Sequence, residues 1–379
     1  MIAVMTTLAG AQVMAVGLIV AGFIFDARRG FLSGAWRHWG IALLFVAGFS
    51  VLNSLHGGIR GAGDGLGKTW TILIAPAATV MAKRLSAKGF HRLESTICWS
   101  GALIAVLFLW RWGLIEPFIS VKPRQVFHSN PGVSGMILIP AALFLLLQPR
   151  LSATRFLLWF LVASSIWLLN VRATIIPWFL VSFLGVTWLI GKGKRLIALI
   201  AVVPVLFLAM AFFQGSTDSW LRWHLFDLNI QSAIVHRLVI WSQVIAQFLD
   251  QPILGNGFNR YAIDLTVVAP EFHQYLVLGI HPHNGYLMTL HAVGVVGFFT
   301  LLGVIGYFFR EVAFPNGSVA TDRWRVVGGL SFLAMMIAGI ADKMPYVTLV
   351  SIQVWLLVGI ALARPVVAEK QSADPEVGG

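Results

Sequence analysis

The chain has 379 residues, 58% of them hydrophobic and only 11% charged, with a formal net charge of +12. A soluble domain carries about one-quarter charged residues, so this chain cannot cover a water-facing surface, and a soluble nucleic-acid-binding protein is excluded despite the basic charge. The single cysteine, Cys98, lies in an apolar run and excludes both a disulfide framework and a cysteine metal site.

Apolar runs long enough to cross a hydrocarbon core of about 30 Å recur along the chain. The expected spans are 2–25, 39–55, 69–82, 96–114, 132–148, 154–170, 173–190, 195–213, 285–309, 326–341 and 346–363. The reading is an all-α polytopic membrane protein with about 11 transmembrane helices (11–12). The third span is short and contains Pro76. Pro140, Pro177 and Pro204 fall inside other spans, which neighbouring helices tolerate. The first run lacks a basic n-region and is long enough to span, so it reads as a helix and not as a cleaved signal.

The side of alternate connections, starting at 26–38, holds 17 of the 27 Lys and Arg residues, with Arg155 and Arg195 at the adjoining span ends among them. The positive-inside rule then puts the N-terminus outside and the C-terminus inside. The expected organisation is an N-terminal bundle of about eight helices over 1–213, an outward-facing loop over 214–283, about three helices over 284–365 and a cytoplasmic tail over 366–379. Within the loop, Asp218 to Leu228 mixes Trp and Phe with charges, as interfacial helices do. Residues 232–249 have helical period: Ile234, Leu238, Trp241, Ile245 and Phe248 share a stripe about 80° wide, with Arg237 beside it. Asp250-Gln-Pro252 ends that helix, and Gly255-Asn-Gly257 makes a turn.

Several polar residues stand where chemistry is possible. Arg172 sits in a connection of two or three residues between spans, where a cation either snorkels or meets an anion. Its planar fork of donors suits phosphate. His281 and His283 have the His-x-His spacing of metal ligands, but zinc needs three or four ligands, and Asp264 and Glu271 show no matching spacing. Two surface histidines beside a membrane helix, or a general base, are the other readings. Asn284 either orients a substrate oxygen or caps the incoming helix. Gly294 and Gly297 read as close helix packing, His291 as a helix–helix hydrogen-bonding residue, and Asp342-Lys343 as a turn with a local ion pair.

Taken together, His281-Pro-His283-Asn284-Gly-Tyr286-Leu287 followed by Gly294-Val-Val-Gly297 resembles the signature that closes the large loop in the O-antigen ligase and polymerase family. Arg237-Leu-Val-Ile-Trp241, followed by Gln251-Pro252-Ile-Leu-Gly255-Asn-Gly257, is similar to that family's loop helix and turn. Val171-Arg172-Ala-Thr resembles its arginine motif between two spans, and His128-Ser-Asn130-Pro131 is a shorter echo. The resemblance covers roughly 126–309. The chain departs from it at Ala292, where an acid is common, at Val171, where a serine is common, and in having eleven spans where twelve are usual.

The resemblance implies a GT-C-like fold and a metal-independent, inverting glycosyltransferase with no cofactor. It also implies a bacterial inner-membrane location with the active site facing the periplasm. The donor would be a polyprenyl-diphosphate-linked glycan, and the acceptor a lipid A core sugar or a growing glycan. His283, Arg237 and Arg172 would be catalytic, and Asn284, His281, Trp241, Tyr286 and His128 would bind substrate. The competing expectation is a transporter or flippase for an anionic lipid or solute, whose marks are internal repeats, interrupted helices and mid-membrane charges.

Overall fold

The computed structural model describes residues 8–28, 35–114, 131–148, 152–168, 171–189, 230–258, 260–261, 263, 282–315 and 322–364. All regular structure among them is helical. The expected span at 195–213, the stretch 218–228, and His128, Asp264, Glu271 and His281 lie outside the described residues.

The helices are α1 (Leu8–Arg28), α2 (Trp36–Thr69), α3 (Ile74–Ala82), α4 (Ala87–Leu114), α5 (Pro131–Leu146), α6 (Ala153–Leu168) and α7 (Arg172–Leu189). They continue as α8 (Ile230–Asp250), α9 (Gly285–Ala313), α10 (Arg323–Ala341) and α11 (Thr348–Ala363). Among the described residues, five helical stretches are long and apolar enough to cross a membrane, and α5, α6, α7 and α11 are shorter apolar helices. Large apolar side chains such as Leu44, Phe160, Ile176 and Phe299 are 58–75% exposed. In water such a surface would aggregate; on a bundle of this composition it faces lipid. The protein is a multi-pass helical membrane protein.

The polar connection expected between the second and third spans is instead helical. Gly58, at φ 56° and ψ −139°, reverses the chain inside α2. The two arms then run antiparallel: a Cβ on Gly61 would lie 2.3 Å from the Asn53 carbonyl oxygen, and one on Gly65 would lie 2.9 Å from that of Phe49. Only glycine permits this approach. Asn53 Nδ2 donates to the Gly61 carbonyl at 2.5 Å and ties the tip together. The second arm therefore starts at Ile59 and continues through a 3₁₀ turn (Trp70–Leu73) and α3 to Ala82, long enough to span.

At the centre, α10 is the most enclosed of the long helices and packs on α7, α9 and α11. α11 lies directly on α3: a Cβ on Gly359 would meet the Ala75 carbonyl oxygen at 2.2 Å. There the Thr79 hydroxyl donates to the Ala75 and Gly359 carbonyls at 2.8 and 3.0 Å. α7 and α10 are antiparallel. Trp188, near the end of α7, shares a cavity with Arg323 and Trp324 at the start of α10, and Gly185 abuts Leu330. Because the two helices differ in length by one residue, the Arg172 end of α7 comes level with Asp342.

Candidate functional site

The site is assembled at the start of α9. Asn284 is its N-cap, with Oδ1 accepting the Tyr286 and Leu287 amides at 3.0 and 2.9 Å. That is the capping half of the two roles open to it from sequence. The preceding His283 holds φ at 49°, a region that few non-glycine residues occupy. Its side chain is half-exposed, and Nδ1 lies 3.5 Å from Asp342 Oδ1. Asp342 is otherwise fixed: Oδ1 accepts the Lys343 amide at 2.7 Å, and its carbonyl accepts the Gly285 amide at 3.1 Å. A carboxylate so placed holds the Nδ1 edge of the His283 ring toward the α10–α11 connection.

Pro282, next to His283, is bound from the loop helix. The Trp241 indole of α8 donates to the Pro282 carbonyl at 2.6 Å. Arg237 lies one turn earlier on α8, about 6 Å along the axis, and is half-buried. The buried face of α8 is not the one the apolar stripe suggested. Ile240 and Val244 are 6% and 0% exposed, whereas Leu238 and Ile245 are 54% and 45% exposed. The helix is turned by roughly 80° from the expected orientation, because an exposed apolar edge costs little beside a bilayer. That rotation puts Arg237 on the packed side, with Trp241. Arg172 opens α7, at the level of Asp342.

Below this site α9 is broken. Val293 (φ −128°, ψ 15°) and Gly294 (φ 62°, ψ −168°) leave helical geometry, and the turn after α8 fills the gap. The Asn256 and Gly257 amides donate to the His291 and Ala292 carbonyls at 2.7 and 2.9 Å, and the Val295 amide donates to the Pro252 carbonyl at 2.9 Å. The backbone groups freed by the break are thus paired by the Pro252–Gly257 turn, as a bilayer requires. Gly294 was expected to serve helix packing; it serves this insertion, since a Cβ there would lie 2.1 Å from the Ile253 carbonyl oxygen. The turn is also tied to the α2 tip: the Phe258 amide donates to Asn53 Oδ1 at 2.7 Å. His56 Nε2 approaches the Leu254 carbonyl oxygen at 3.3 Å.

The remaining expected residues divide by use. The Tyr286 hydroxyl donates to the Met336 carbonyl at 2.8 Å, joining α9 to α10. His291 is fully buried, and neither ring nitrogen has a hydrogen-bond partner. It meets Tyr261 edge to face at 5.4 Å instead of bridging helices. The residue sequence reasoning undervalued is Asp342. An acid in a short connection on the same side as His283 was the available signal. Lys343, beside it, is held below the usual lysine value by burial, with the Asp342 carboxylate opposing the shift. Among the described residues, no three His, Cys, Asp or Glu side chains converge on a common point.

With this geometry described, comparison with known proteins adds a distant kinship. Over 150 residues the chain is 23% identical to a "Putative polysaccharide ligase" of Rickettsia bellii, covering 38% of this chain and 34% of that protein. Proteins of that name from Rickettsia conorii and Rickettsia prowazekii are 24% and 26% identical over 136 and 137 residues, each covering 35% of this chain and 32% of the relative. The chain is a distant relative of these proteins. The matches span about a third of the relatives' length. No family model matches the chain.

Proposed function

We propose that the protein transfers a glycan from a polyprenyl diphosphate carrier to a hydroxyl of an acceptor glycan at the outer face of a bacterial inner membrane. The observation that carries this is the meeting of three separate chain segments, with His283 on Asp342 and Trp241 of the Arg237 helix on Pro282. The kinship with polysaccharide ligases supports the same chemistry.

In the reaction the acceptor oxygen attacks the anomeric carbon, and the bond from that carbon to the diphosphate oxygen breaks with inversion. The acceptor proton passes to His283 Nε2, and the lipid diphosphate leaves with the bonding pair. Arg237 and Arg172 offset its growing charge, each placed donor contributing about 2.7–4 kcal/mol by analogy with oxyanion sites. Asp342 stabilises the imidazolium that forms. The bundle over 1–213, the loop over 214–283, the three-helix unit over 284–365 and the tail over 366–379 would form a GT-C-like assembly of about eleven spans. In it the loop covers the prenyl chain and sugars at the periplasmic surface.

The test is substitution of Arg172, Arg237 and His283 by Ala in turn. Each variant should insert normally, lose transfer and accumulate lipid-linked glycan; near-normal glycan from all three refutes the assignment. A deletion strain separates the acceptors, since bare core marks a ligase and core carrying one repeat unit marks a polymerase. Transport of an anionic lipid is the second reading, and the interrupted α9 favours it. Against it, the interruption is filled by the chain's own turn and is not open to a solute.

A further inference from the structure

A second polar assembly lies at the opposite end of the bundle. From Asp322 to Asp342 the axis of α10 covers about 30 Å, so this assembly is far from His283. It has two halves. In the first, Arg323 pairs with Glu94 and donates through Nη1 to Gln148 Oε1 at 2.7 Å. Gln148 Nε2 donates to Glu94 Oε1 at 2.6 Å. In the second, Arg364 donates through Nε and Nη2 to Asp322 Oδ2 at 3.0 and 2.8 Å, with its guanidinium 4.7 Å above the Phe90 ring. Between them opens a cavity of about 440 Å³, lined by Phe90, His91, Trp188, Trp324, Arg323 and Arg364 together with both acids.

The charges here do not balance. Arg325, 6% exposed, donates only to the carbonyls of Glu311 and Arg364, at 2.9 and 2.7 Å, and its Nε has no acceptor. Arg325 does not itself line the cavity, and Arg155 Nη1 also donates to Gln148 Oε1, at 3.2 Å. Four guanidiniums therefore neighbour three carboxylates, those of Glu94, Asp322 and Glu311. Arg323 and Arg364 each spend two of five donors in these contacts, and their side chains keep 24% and 27% exposure. A partly buried site with spare planar donors, in surroundings that hold one guanidinium more than carboxylates, selects an anion that accepts several hydrogen bonds, and a phosphate does so.

The surroundings identify the source of that phosphate. The cavity opens at the ends of α4, α7, α10 and α11, at the depth where helices meet headgroups, and two of its walls are tryptophan, a residue enriched at that level. Basic pockets between transmembrane helices are where anionic headgroups lodge. We propose that this cavity binds the phosphate of an anionic phospholipid from the leaflet on the Arg323 side.

The experiment uses the full chain in nanodiscs of zwitterionic lipid, with cardiolipin or phosphatidylcholine added and binding read by native mass spectrometry. Cardiolipin should bind at least about fivefold more tightly than phosphatidylcholine, and Arg364→Gln should erase about fivefold of that. Glu94→Gln, which removes a competing acid, should tighten cardiolipin binding, and His91→Gln at the exposed rim should weaken it if Arg364→Gln fails to fold. Equal affinity for the two lipids overturns the proposal, as does a cardiolipin affinity unmoved by both Glu94→Gln and His91→Gln. Inorganic phosphate that binds as tightly as cardiolipin overturns the lipid source in favour of a free anion.

Discussion

At the scale of single residues, the contact between His283 and Asp342 gives an imidazole a direction. Asp342→Asn keeps the size of the side chain and removes its charge, so the imidazolium loses its partner. Loss of orientation of this kind costs about 10²-fold. The expected result is a fall in kcat for glycan transfer with KM little changed; an unchanged kcat would make Asp342 purely structural. Lys343 supplies a stability test. Its folded pKa lies below the ordinary lysine value because burial disfavours the charge. The folded state therefore binds fewer protons than the unfolded state between those two values, and stability rises with pH across that window. Lys343→Met removes the cost of the buried ammonium. It should melt higher than the wild type at neutral pH, and the gap should close as pH approaches the ordinary lysine value.

Elements show what a sequence can and cannot disclose. Hydropathy found α1, α4, α5, α6, α7, α9, α10 and α11 because a helix that crosses hydrocarbon, whether lipid-facing or enclosed, is apolar along its length. It did not find the α2 hairpin, whose tip carries His56, Arg60 and Asp64 and reads as a loop. What makes that tip helical is the fit of Gly61 and Gly65 against the other arm, a property of two segments together. The break in α9 was hidden for the same reason. Gly294-Val-Val-Gly297 is compatible with a continuous helix, and only the distant Pro252–Gly257 turn interrupts it. The candidate site was legible in its members, His283, Arg237 and Trp241, because each stands in a motif with characteristic spacing. Asp342 was not, since its partner lies 59 residues away in sequence. Gly294→Ala tests the insertion directly. The φ of 62° combined with an extended ψ costs a residue with a Cβ about 1–3 kcal/mol, before any clash with Ile253. The variant should melt lower, and the 252–257 turn should gain sensitivity to protease in the intact protein.

At the scale of the molecule, orientation is the property most open to measurement. Cys98 is buried, so the wild type should react little with a membrane-impermeant maleimide, and introduced cysteines report cleanly. Arg260 and Ser152 are both exposed and fall on opposite sides of the expected topology. Arg260→Cys should label in intact cells, whereas Ser152→Cys should label only after permeabilisation. The reverse pattern would put His283 at the cytoplasmic face and remove the lipid-linked donor from its reach.

The filled break in α9 also bears on how the chain is made. A helix entering a bilayer normally carries its hydrogen bonds with it, because each amide finds its carbonyl within the same segment. α9 cannot do so near Val293, where four of its backbone groups are answered by residues synthesised some forty positions earlier. Partitioning of this helix out of the translocation machinery is therefore coupled to the return of an upstream turn. α8 and its turn act as a folding partner delivered in advance, and a ribosome stalled before α9 would hold a chain whose next span has its docking surface already waiting.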